Sequence, residues 1–325
     1  MYSSILSTGC YLPSKEVANE DLVQFPANAR RLIQVKTGVK YRRYADREQT
    51  TSDLAALAAK DCLKKAGVEA STLDALIVAT SSPDRMLPAT AARTQALIGA
   101  NNSFAFDINS VCSGGVFALH VADSLIKSGA ANHVLVVAAE LYSRILNPND
   151  FTTKPYFGDG SGAVLLGRGS DSGSRVIGSL LRTDGNKSEV ITVPAGGVMM
   201  PFSEITTTDD IYFRMNGREV FDFAIRRGSE VISEAADIFG FSMQDVACVV
   251  PHQANINIIN ELANNTGIPR DRFFVNLERY GNTGGASTLI AMHEVFEHGE
   301  LEKESLLLVV AFGGGLSWGI NVIRT

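Results

Sequence analysis

Four segments hold the residues able to do chemistry. Cys112 lies in DINSVCSGGVFAL, where an apolar run passes into a small-residue run of helical period. A thiol there opens a helix, and the macrodipole and free amide N–H groups would favour thiolate, lowering a pKa from about 8.5. A buried structural cysteine is the plain alternative, and it is preferred for Cys10, Cys62 and Cys248. His252, in VVPHQANINII, follows a strand-like run, and strand C-termini are where α/β sheets build sites. A capping or surface histidine is the competing reading. Asn282 stands in RYGNTGGAS, which taken alone is a turn. Gly313, Gly314 and Gly315, in VVAFGGGLSWG, can bring amide N–H groups close to an oxyanion. His120, His133, His293 and His298 sit within helices or at a strand start and read as structural. No histidine pair has metal-ligand spacing, so no metal is assigned.

These groups need elements to hold them. Asp74–Thr80, Ser103–Ile108, His133–Ala139, Val246–Val250 and Leu306–Phe312 read as strands covered on both faces. A helix with Thr51 or Ser52 as N-cap runs towards a stop at Gly67, and another runs from about Cys112 to Lys127. Gly158-Asp-Gly-Ser-Gly162 reads as a turn before a strand. An internal repeat orders these pieces. Asp74–Ser81 matches Asp245–His252 at an offset of 171 residues. Cys112–Gly115 matches Asn282–Gly285 at 170, and Val134–Val137 matches Leu307–Val310 at 173. The near-constant offset points to a duplicated βαβ-type unit. In that register His252 answers Ser81 and Asn282 answers Cys112, so two halves bring different polar groups to one centre.

Composition sets the bounds. The chain has 325 residues, and its 29 basic against 35 acidic side chains leave a net charge of −6, which argues against a general nucleic-acid surface. Four cysteines are too few for a disulfide scaffold and suit a reducing compartment. The first residues, MYSSILSTGCYLPSKEV, lack the basic and apolar regions of a signal peptide, and no apolar stretch is long enough to span a membrane. A cytoplasmic α/β protein is therefore expected.

Taken together, Cys112 in a strand-to-helix turn, PHQAN, GNTGGAS and AFGGGLSWG resemble the β-ketoacyl-acyl-carrier-protein synthase III family. The likeness runs from STGCYLP and KTGVKYR through FGDGSGAV to the end of the chain. It implies a thiolase-like α/β fold of two pseudo-symmetric halves, 1–172 and 173–325, with mixed five-stranded sheets and helices in αβαβα layers, usually a homodimer. It implies that Cys112 carries the acyl group, that the Cys112 and Gly314 amides stabilise the oxyanion, and that His252 and Asn282 stabilise an enolate as a malonyl thioester loses CO₂. A neutral Asn282 suits an enolate where an aspartate would repel it, so decarboxylative condensation is expected over simple acyl transfer. Acyl carrier protein is the implied partner. No cofactor is implied beyond thioester substrates of coenzyme A or carrier protein.

The chain departs from that family's pattern in its outer site. Leu32 stands where coenzyme A users commonly have Trp, Lys36 where they have Arg, and Phe151 where they have a second Arg. Leu32 and Phe151 offer no cation–π partner and no phosphate fork. Phe221, Asn255 and Phe312 keep the implied substrate channel. Leu87 takes the place of a frequent aromatic that blocks the acyl pocket across the family's dimer. Asp222, Asn257, Asn264 and Asn265 replace basic carrier-docking positions, with Arg226 and Arg227 as possible substitutes. Two readings follow: an ordinary initiator, or a specialised synthase of secondary metabolism with a carrier-bound or non-CoA donor. Outside condensation, an acyltransferase acting on a small acceptor is the main rival. A papain-like hydrolase lacks its nucleophile motif, a dinucleotide oxidoreductase lacks its fingerprint, and a non-catalytic partner subunit would lack Cys112 or His252.

Overall fold

The computed structural model describes residues 2–169, 174–298 and 301–325. The near-continuous apolar runs become strands because both of their faces are covered. In chain order these are β1 (Ser3–Tyr11), β2 (Ala75–Ala79), β3 (Phe104–Ile108), β4 (His133–Leu141) and β5 (Asp159–Arg168). They continue with β6 (Ser174–Thr183), β7 (Val246–Pro251), β8 (Leu306–Gly313) and β9 (Ser317–Arg324). Together they form a nine-stranded mixed sheet in the order β7-β8-β9-β6-β1-β5-β4-β2-β3. Outward from the β1/β6 junction, both arms repeat one pattern. The chains β1-β5-β4-β2 and β6-β9-β8-β7 each pair antiparallel, antiparallel, then parallel.

The thiolase-like α/β class is thus present, with two differences in detail. The arms join edge to edge through Ser4↔Arg175 and Ile5↔Ser174. The first arm ends in β3, parallel to β2, but the second arm's fifth strand is reduced to one parallel bridge, Val249↔Phe273. Gln253 explains the reduction. Its side-chain amide donates to Phe274 O and accepts from the N–H groups of Asn276 and Leu277, diverting them from a ladder. The expected boundary between residues 172 and 173 lies outside the described residues.

Seven helices matter to the site: α1 (Ala27–Thr37), α2 (Thr51–Ala66), α3 (Thr90–Ile98), α4 (Gly114–Lys127), α5 (Gly217–Phe239), α6 (Ile256–Thr266) and α7 (Ser287–His298). Val116, Leu119 and Ile126 of α4 share one core with Leu289 and Met292 of α7, and with Ile77, Val136 and Val309 of the two sheet arms. These two helices form the middle layer. A second core covers the outer face of the first arm with α2 and α3, and a third covers the second arm with α5 and α6. The N-cap of α2 is Thr50, not Thr51 or Ser52. Both expected caps are drawn instead to distant partners: Thr51 Oγ1 donates to Ser82 O (2.6 Å) and Ser52 Oγ to Asp84 (2.6 Å).

The glycines of GDGSG also differ from expectation. Gly160 and Gly162 lie inside β5 rather than in a turn before it. A Cβ on Gly162 would stand 2.7 Å from Ile290 N and Leu289 C of α7, so glycine is what lets this helix approach the sheet. Gly162→Ala is expected to cost about 1–3 kcal/mol or more through overpacking. A thermal melt checks this, and an unchanged midpoint would show that α7 can shift freely.

Candidate active site

Cys112 sits in a 3-10 turn, Val111–Ser113, between the end of β3 and α4. The turn is tight: Val111 has φ +47°, a costly conformation for a β-branched residue, so its surroundings must hold it. Three serines do part of that. Ser317 Oγ lies 2.7 Å from Ser113 Oγ, accepts from Ser110 Oγ at 3.2 Å and donates to Gly314 O at 2.7 Å. Gly313 backs directly onto the nucleophile, because a Cβ there would lie 2.7 Å from Cys112 N. Gly314 stands against Val111 and Ile191.

The thiol does not rest as the thiolate that its place before α4 suggests. Burial pushes it up to about 12, the Glu140 carboxylate adds to the rise, and the neighbouring Tyr142 hydroxyl opposes it. Desolvation outweighs the helix terminus because Cys112 is only 6% exposed.

His252 follows the last residue of β7, anchored by its N–H to Val310 O of β8 (2.7 Å). Its ring packs edge-on against Phe312, with centroids 5.5 Å apart. Nδ1 pairs with Ser287 Oγ at 2.6 Å, and the same oxygen accepts from Gln253 N at 3.4 Å. The tautomer that takes the Ser287 proton at Nδ1 carries its own proton on Nε2. Burial drives the histidine down to about 3. It is therefore neutral near pH 7.

That shift carries a pH consequence. The folded protein refuses a proton that an unfolded histidine accepts below about 6.5. The stability contributed by a neutral His252 is present above 6.5 and is lost as pH falls towards 3. The expected result is a steeper loss of Tm between pH 7 and 4.5 in the parent than in His252→Gln. Parallel slopes in thermal melts would remove the argument.

Asn282 bridges to Phe157, donating its N–H to Tyr156 O (2.8 Å) and accepting from Gly158 N (2.9 Å). Its Oδ1 accepts from Gly284 N (2.9 Å), which leaves the Nδ2 donor without a partner among the described residues. The Cys112 and Asn282 turns pack back to back: a Cβ on Gly115 would meet Gly285 O at 2.9 Å, and one on Gly285 would meet Val111 O at 2.8 Å. The repeat register therefore becomes a spatial juxtaposition.

Cys112, His252 and Asn282 line one cavity of about 410 Å³. Lys36, Phe151, Phe221, Asn255 and Phe312 line it too, as the sequence leads one to expect. Phe151 is wedged edge-on against Phe25, and Asn257 ties α6 to the Lys36 carbonyl at 2.9 Å. Two expected residues are not in the lining. Leu32 is half-exposed on α1, and Leu87 is 83% exposed on a surface loop. Arg227 is not free for docking, since it stacks on Trp318 and pairs with Glu230. Sequence reasoning passed over Ser287, Glu140 and Tyr142. Ser287 stood in the quoted GNTGGAS string, but its role depends on a histidine 35 residues away.

A layered fold in which a cysteine, a histidine and an asparagine converge from repeated turns defines a condensing acyltransferase of the thiolase-like class. Residues 106–185 match the family described as 3-oxoacyl-[acyl-carrier-protein (ACP)] synthase III, and 237–325 match its C-terminal part. A beta-ketoacyl-[acyl-carrier-protein] synthase III of Roseiflexus sp. (strain RS-1) is 42% identical over 99% of this chain and 98% of its own. The crystal structure of the corresponding synthase III from Aquifex aeolicus VF5 superposes with a TM-score of 0.91 at 38% identity, covering 99% of this chain and 100% of that one. A priming β-ketosynthase from the R1128 polyketide pathway gives 0.90 at 27%, with 99% and 96% covered. This chain belongs to the 3-oxoacyl-[acyl-carrier-protein] synthase III family and is a condensing acyltransferase of that kind. Among the described residues no helix is long and apolar enough to cross a membrane.

Proposed function

We propose that this chain condenses an acyl thioester with a malonyl thioester carried by acyl carrier protein, through an acyl-Cys112 intermediate. The observation that carries the reading is the pair of second atoms at the donors. Ser287 occupies His252 Nδ1 and Gly284 occupies Asn282 Oδ1, leaving Nε2–H and Nδ2–H for the cavity that Cys112 shares. Cys112 sulfur attacks the acyl carbonyl, the donor thiol leaves with the proton, and the Cys112 and Gly314 amides hold the oxyanion. The malonyl C–C bond then breaks and CO₂ departs. Its electron pair forms an enolate whose oxygen accepts from His252 and Asn282. The enolate carbon attacks the acyl-enzyme, forming a C–C bond and returning Cys112 as thiolate to take up a proton. No cofactor enters this sequence. Incubation with acyl donor and malonyl carrier is expected to release CO₂ and give a β-ketoacyl product by mass. Steady hydrolysis of the acyl thioester alone, or ester formation without CO₂, would overturn the reading.

The outer channel bears on the donor. Leu32 and Phe151 offer an adenine no cation and no phosphate fork. That lowers the expected affinity for acyl-coenzyme A but leaves the ordinary initiator as the reading. Intact-mass trapping of acyl-Cys112 with acyl-coenzyme A and acyl-carrier donors side by side tests it, and loading from the carrier alone would overturn it. Exposed Arg226 shares a second, separate pocket with Asp222, Lys187 and Arg218, and these basic groups are the proposed carrier contacts. The exposed side chains of Met86 and Leu87 suit coverage by a second copy, so a homodimer is proposed, checked by sedimentation. A thiol nucleophile also suits the reducing cytoplasm.

A further inference from the structure

We infer that Tyr142 sets which acyl group Cys112 accepts: its ring fills the space behind the thiol, so a short, unbranched primer loads and longer ones do not. The inference rests on Cys112 being the acyl carrier. Tyr142 follows β4 directly and is completely buried. Its ring stacks on Phe157 at 4.8 Å, nearly parallel, and meets Phe213 edge-on at 5.5 Å. Both phenylalanines line the catalytic cavity while Tyr142 does not, so the ring is a back wall and not a surface the substrate slides along. The wall is braced from the far side. A Cβ on Gly284 would lie 2.5 Å from the Tyr142 ring, so the Asn282 turn presses directly against it.

The hydroxyl is fixed as well. With the Ser81 proton given to Glu140, it donates to Ser81 Oγ at 2.9 Å. Ser81 is itself held by the buried Glu140 carboxylate at 2.9 Å. An acyl chain extending from the Cys112 sulfur therefore meets a phenol held at its hydroxyl by Ser81 and at its ring by an apolar cluster of Leu146, Phe157 and Phe213. Methylenes that must displace this ring lose their burial and strain the packing, a discrimination of roughly tenfold or more between a chain that fits and one that does not.

The loading step balances simply: the Cys112 S–H and an acyl thioester give acyl-Cys112 and the free donor thiol. Intact mass reads it without any malonyl substrate or carrier. The probes are N-acetylcysteamine thioesters of two, four, six and eight carbons, applied to the parent, Tyr142→Phe, Tyr142→Leu and Tyr142→Ala. The parent is expected to favour the two-carbon over the six-carbon acyl group by about tenfold or more. Tyr142→Leu and Tyr142→Ala should narrow that ratio by a similar factor. Tyr142→Phe should keep it, since the ring that forms the wall is unchanged. Equal loading of all lengths by the parent, or an unchanged ratio in folded Leu and Ala variants, overturns the inference. Broadening in Tyr142→Phe overturns it too, since the ring would then not be the barrier. Failure of every thioester to modify Cys112 would instead sink the acyl-enzyme reading itself.

Discussion

Cys112→Ala is expected to lose β-ketoacyl formation by roughly four orders of magnitude or more, the scale on which removing a covalent nucleophile acts. Decarboxylation of the malonyl thioester should survive, because the groups that stabilise the enolate stand on other elements. His252 is set by Ser287 at the start of α7, and Asn282 by the Gly284 amide, and neither bond touches the thiol. Alanine also fits the space: Gly313 and the Val111–Ser113 turn pack on the Cys112 backbone and Cβ, which alanine keeps. The measurement is paired, with acyl-enzyme by intact mass and CO₂ release from the malonyl substrate. Loss of both half-reactions would mean that the thiol shares in decarboxylation. The parent's alkylation gives a second check. A thiol pushed up to about 12 by burial should react slowly at pH 7 and faster as pH rises. A midpoint near or below 7 would show that α4 wins over burial after all.

The repeat and the chemistry were legible because both leave local marks. Strands buried on two faces read as plain apolar runs, and five of them fall within a residue or two of their expected ends. Cys112, His252 and Asn282 each follow a strand or a glycine turn, and the near-constant offset ties them together. The rest was set at long range. The first strand, SSILSTGCY, looks too polar for a buried strand, yet Ser3 bonds Asp123 and Thr8 bonds His293, 120 and 285 residues away. Glu140 and Tyr142 interrupt the end of an apolar strand for a similar reason. Ser81 and Ser82, about sixty residues earlier, satisfy the carboxylate, and Ser81 also holds the phenol. Glycines that admit a helix, as in GDGSG, look like turn residues until the helix is seen. The thiol departs from the thiolate expected at a helix terminus because that terminus is visible in sequence and depth of burial is not.

Asn282→Asp changes almost nothing in shape and reverses the electrostatics at the enolate. The aspartate keeps an oxygen to accept from Gly284 N–H, so the turn and its packing against Val111 should persist. Where the parent offers an N–H donor, the variant offers a carboxylate oxygen, a negative charge facing the one that develops as CO₂ leaves. Losing a donor from such a site costs about 10²–10³ in rate. Repulsion adds to that, so Asn282→Asp should fall below Asn282→Ala in malonyl decarboxylation. Acyl loading of Cys112 should stay within a few-fold of the parent in both. The pH profile then separates charge from geometry. A carboxyl this buried is raised by desolvation, and once protonated it becomes a donor again. Decarboxylation by Asn282→Asp should therefore recover in part as pH falls, while Asn282→Ala stays flat over the same range. Equal rates for the two variants at every pH would mean that Asn282 holds the turn and plays no part in stabilising the enolate.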